Sequence, residues 1–135
     1  MQHGQQKVVK TSGKSRIIIV ETSSDVNESN SNDIIVTGSH QGSGSYLAGC
    51  KVKGAIGNDA GKGKQDAGIA GLKLLDEQGI PAAAVGNMTA KIGNGDSTYE
   101  QGNISAVNEA ARKLGISEGM SAKEAADKML QALAR

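Results

Sequence analysis

The sequence predicts a single α/β domain with a largely parallel or mixed sheet and about three helices. Three observations lead there. Ile17-Ile18-Ile19-Val20 and Ile34-Ile35-Val36 are continuous β-branched runs, too short for helices and without polar alternation, as in strands covered on both faces. Residues 52–86 read as strand, glycine-rich loop, helix, tight turn and strand, which is the order of a parallel crossover. A chain of 135 residues has the size of one ordinary domain, so residues 1–135 are taken as one unit.

Taken in order, residues 1–6 read as a disordered start. Lys7 to Lys10 suits a short edge strand, turned by Ser12-Gly13 into the strand Arg16 to Glu21. Thr22 to Asn32 is polar and rich in Ser and Asn, and reads as a mobile loop with room for a helical turn. Ile34 to Thr37 is the next strand, and Tyr46 to Cys50 a short helix. Val52 to Ile56 is the central strand. Asp66 suits the N-cap of a helix carrying Ile69, Leu72 and Leu75 on one face. Gly79 suits its left-handed end and Pro81 forbids continuation, so Ala82 to Val85 becomes a buried strand. Ser97 and Glu100 have capping-box spacing ahead of a helix with Ile104, Val107, Ala111 and Leu114 on one side, ended by Gly115. Ser121 and Glu124 repeat that spacing before a last helix, with Ala125, Met129 and Ala132 or Leu133 inward.

Composition narrows the function classes. A formal net charge of +1 gives no long-range field for nucleic acid or a membrane surface. No apolar run approaches the roughly 20 residues of a membrane helix, and MQHGQQKVVK lacks the apolar core of a signal peptide. The single Cys50 can form no internal disulfide. The expected setting is cytoplasmic, with no nucleic-acid or membrane partner. There are 19 glycines, about twice the ordinary share of ~7 %, and only two aromatic residues, Tyr46 and Tyr99. A core of small side chains buries little area per residue. Burial against a second subunit would compensate, so a homo-oligomer is expected.

Glycine-rich loops follow three apolar strands, after Val36, Ile56 and Val85. If those strands are parallel, the loops share the edge where open α/β sheets bind ligands. In the middle loop Asn58 and Gly61 offer backbone and amide contacts, and Lys62 and Lys64 add charge for an anion ahead of a helix N-terminus. GNDAGKGKQ lacks P-loop spacing, and no G-x-G-x-x-G dinucleotide fingerprint is present, so no cofactor is expected. His40 is the candidate acid or base, Asp59 its orienting partner, and Ser39 a nucleophile or donor. Gly42 and Ser43 flank it, and Asn94 and Asp96 offer polar contacts from the third loop. The bland alternatives are solvated loop lysines, a surface histidine, and turn or cap chemistry for Asn94, Asp96 and Ser97. His40, Asp59 and Asp96 make a thin ligand set, so no metal is expected.

Asn58-Asp59 with Gly61, then Leu74-Leu75, Gly79-Ile80 with Ala82, Val85-Gly86, Leu114-Gly115-Ile116 and Gly119-Met120-Ser121 with Ala125 follow one another in an order that resembles the YunC-like family of small bacterial and archaeal proteins of unknown function. The resemblance covers residues 58–133. It implies a compact α/β domain and an oligomer and supplies no catalytic residue. Thr37–His40 with Asn58–Gly61 also resembles bacterial proteins that pair a TGSH segment with an NDAG segment. The first 50 residues depart from the YunC-like pattern, so roles there rest on local chemistry. Two functional expectations follow. One is a protein binding a small polar or anionic metabolite, with hydrolysis or another acid–base reaction if it is an enzyme. The other is a non-catalytic, homo-oligomeric scaffold.

Overall fold

The computed structural model describes residues 5–40, 44–61 and 69–133. Its strands are β1 (Lys7–Ser12), β2 (Ser15–Val20), β3 (Ile34–His40), β4 (Gly54–Asn58), β5 (Ala82–Val85) and β6 (Ile104–Val107). They form one six-stranded sheet in chain order. β2 to β5 are mutually parallel, and β1 and β6 pair antiparallel at the two edges. The helices are α1 (Gly44–Cys50), α2 (Ala70–Glu77), α3 (Gly95–Gln101), α4 (Glu109–Lys113) and α5 (Ala122–Leu133). No helix among the described residues is long and apolar enough to cross a membrane.

The β-branched runs are buried on both faces, as their continuity requires. Ile18, Val20, Ile35 and Ala84 face one layer, with Val26, Leu47 of α1, and Leu72 and Leu75 of α2. Ile17, Ile19, Ile34, Val36 and Ile56 face the other, with Ala122, Ala125, Met129 and Leu130 of α5. The connections β2–β3, β3–β4 and β4–β5 therefore all cover one face, and the chain after β5 covers the other.

Local chemistry sets the element ends. Behind α2 the Ile80 amide donates to the Leu75 carbonyl and the Gly79 amide to Asp76, with Gly79 at φ 73°. Ile116, Gly115, Ala111 and Arg112 repeat this arrangement behind α4, with Gly115 at φ 89°. Both are glycine-ended caps that satisfy the last carbonyls of a helix. The Glu124 amide donates to Ser121 Oγ at 3.1 Å at the start of α5.

The C-terminal third departs from the sequence reading. The helix expected after Ser97 is three elements: α3, β6 and α4. Ile104 and Val107 share helical spacing, but they are strand residues paired with Val85 and Ala83. Gly102 ends α3; a Cβ there would lie 2.6 Å from Val85 Cγ1 and 2.5 Å from the Thr98 carbonyl. The cap of α3 is Asn94, whose Oδ1 accepts from the Ser97 amide, and α4 is capped by Asn108. In α5 the inward residue near the end is Leu130, 3 % exposed, whereas Leu133 is 38 % exposed. Cys50 is buried.

Candidate functional site: the carboxyl edge of the sheet

Parallel pairing of β2 to β5 brings Val20, His40, Asn58 and Val85 to one edge. The strands follow one another without reversal, so the crevice that a doubly wound sheet opens at its point of reversal does not arise. The loops are brought together instead by residues 86–102, which cross back over the α5 face. Asn58 Nδ2 donates to the Ala90 carbonyl at 3.2 Å, and the Gly93 amide donates to the Gly38 carbonyl at 2.7 Å. A Cβ on Gly38 would lie 2.3 Å from the Asn94 nitrogen, and one on Gly95 would lie 2.3 Å from the Val20 carbonyl oxygen. Only glycine allows that approach.

The turn leaving β4 is folded by its own side chains. Asn58 Oδ1 accepts from the Ala60 amide at 2.7 Å. Asp59 Oδ1 accepts from the Gly61 amide at 2.7 Å and the Asn87 amide at 3.0 Å. Asp59 Oδ2 accepts from Ser105 Oγ at 2.6 Å, and the Asp59 amide donates to the Val85 carbonyl at 2.8 Å. Asp59 is 5 % exposed. Ala60 and Gly61 both have left-handed backbones, φ 52° and 71°. A non-glycine residue in that region stores strain, and such positions cluster at functional loops.

The sequence candidates divide. Asn58, Asp59 and Gly61 form this turn. His40 pairs with Asn58 in the sheet register and is exposed. Ser39 Oγ accepts from the Ser23 amide at 2.9 Å, which ties the β2–β3 connection to the end of β3. Asn94 caps α3 and lies against Gly38. Asp96 pairs with Lys7 of β1 at 3.2 Å, so it sits across β2 and β3 from Asp59, whose partners lie toward β5 and β6. Gly42, Ser43, Lys62 and Lys64 lie outside the described residues, as does Asp66.

Two contributors were hidden from sequence reasoning. Ser105 falls inside the stretch read as a helix, and without β6 nothing placed it beside Asp59. Asn87 acts through its backbone amide, which any residue type would supply. A side-chain hydrogen bond from Lys10 to Asp127 raises the lysine pKa, one from Arg16 to Asp33 raises that of the guanidinium, and burial raises that of Tyr99. Among the described residues no group of three His, Cys, Asp or Glu side chains is arranged to hold a metal ion. Chemically, the rim offers an exposed imidazole at the end of β3 and, at the end of β4, an anchored carboxylate with a hydroxyl and a strained, amide-rich turn. Comparison of the chain with protein families, curated proteins and solved structures gives no match.

Proposed function

We propose that the protein binds a small polar, anionic metabolite at the carboxyl edge of the sheet, between the 38–45, 57–65 and 86–97 loops. The observation that carries this reading is the Asp59 carboxylate, which joins the Gly61 turn, the Asn87 loop and Ser105 of β6 directly after Asn58, the sheet partner of His40. Asp59 serves as the organiser, its oxygens taken up by three donors. His40 serves as the acid or base, and an acid–base reaction such as hydrolysis is the chemistry that suits the pair. A thermal-shift panel of small carboxylates and phosphate esters tests it. One member should raise the melting temperature, and His40→Ala should keep the apo melting temperature while losing that response. No response from the wild type across the panel, or an undiminished response in His40→Ala, refutes the assignment.

A second reading, self-association without catalysis, draws on Met88 and Ile92, which are 91 % and 50 % exposed on the same rim loop. A scaffold would respond to no small anion, and its melting would depend on protein concentration.

A further inference from the structure

At the opposite edge of the sheet, a cleft of about 430 Å³ opens among α1, α2, α4 and α5. Its walls include Val52, Ile80, Pro81, Leu114, Met129 and Leu133. The volume lies in the roughly 300–1,000 Å³ range of small-molecule sites. A Cβ on Gly54 would meet Met129 Sδ at 2.8 Å, so glycine there lets the thioether of this lining residue settle against the sheet.

Among the described residues Lys51 and Lys53 line the cleft, and no acidic side chain does. Among the described residues neither ammonium group is paired with a carboxylate, although six ion pairs are formed elsewhere on the described surface. Both lysines stand on anchored backbone. The Lys51 amide donates to the Ala48 carbonyl at 3.1 Å, and the Lys53 amide to the Asp33 carbonyl at 2.9 Å. Lys51 holds φ 59°, a left-handed conformation that is costly for a side-chain-bearing residue. An apolar interior with two lysines on anchored backbone at its margin complements a ligand with an apolar body and a single anionic head.

We infer that this amino-edge cleft is a second binding site, for a small apolar carboxylate of the medium-chain fatty-acid type. It is independent of the carboxyl-edge site. Octanoate and 1-octanol, titrated into the 15N-labelled full chain, test it. Octanoate should shift the amide signals of Ala48, Val52, Ile80 and Leu114 saturably, and octanol should bind at least about tenfold more weakly. Lys51→Ala with Lys53→Ala, both exposed and so expected to spare the fold, should weaken octanoate about tenfold and leave octanol unchanged. Ala132→Phe should fill the cleft and block both, and His40→Ala should change neither. Equal binding of octanol, octanoate shifts centred on other residues, an unaffected lysine double variant, or cleft signals that respond to protein concentration alone would each overturn the inference. The last would mean that a second copy of the chain covers this face.

Discussion

The two edges of the sheet each carry a buried polar joint, and the joints are built from different chemistry. At the amino edge Asn108 is a neutral amide satisfied by backbone alone. Its Oδ1 accepts from the Ala82 and Ala111 amides, and its Nδ2 donates to the Leu72 and Ile80 carbonyls. Four bonds to four segments fill the capacity of an Asn side chain and leave nothing to react. At the carboxyl edge Asp59 is an acidic group held by two amides and one hydroxyl, next to a left-handed Ala60. The first joint locks helix to strand. The second gathers loops around an acidic side chain. The difference separates a residue that makes the fold from one that organises a site.

Substitutions can break this contrast. The largest effect is expected at the glycine contacts that bring the third loop home. Gly38→Ala and Gly95→Ala push a Cβ into backbone that cannot yield, so each should lose at least about 3 kcal/mol or fail to fold in urea denaturation. Gly86→Ala meets only ordinary contacts at 3.8 Å and should stay within about 1 kcal/mol of wild type. Next comes Asn108→Ala, which strands buried backbone groups and should lose about 3 kcal/mol. Asn108→Asp should fare no better, because two carbonyls would face a carboxylate.

At the other joint, Asp59→Asn and Ser105→Ala should each lose only about 1–2 kcal/mol by the same measurement. Both should weaken the anion response as well. If Asp59→Asn is as damaging as Asn108→Ala and leaves ligand response intact in the surviving fold, the contrast fails. Ala60→Gly relieves the left-handed strain and should stabilise by up to about 1 kcal/mol, visible as a higher urea midpoint. The smallest effect belongs to the exposed pairs. Hydrogen bonds to Asp127 and Glu100 raise the pKa of Lys10 and Lys123, so their contribution is present at neutral pH and is lost as pH rises through the lysine range. Both groups are solvated, so the loss in melting temperature should be slight.

Much of the fold is legible in the residues. The β-branched aliphatic runs at 17–20 and 34–36 favour buried strands, and Gly79 and Gly115 end their helices in left-handed conformations. The failure at 97–114 has a physical cause. Four residues, Ile104 to Val107, are too few to show a strand period, and their apolar ends fall three apart as in a helix. Pairing with β5 decides the outcome, and pairing is a tertiary fact. For the candidate site, recurrence of one loop type predicted a shared edge for the strand ends. It could not foresee that Asp96 would turn to Lys7, or that Ser105 would reach Asp59 from a distance of 46 residues.

The uninterrupted order of the strands bears on how the chain matures during synthesis. Each new strand finds its neighbour already made, so one half of the molecule can assemble as it leaves the ribosome. The other half waits: the cover of Ile17, Ile19, Ile34 and Val36, begun by α3, is completed only when the last helix has been translated. A product halted before Ala122 would present an oily sheet to the cell, and quality control rather than catalysis would decide its fate.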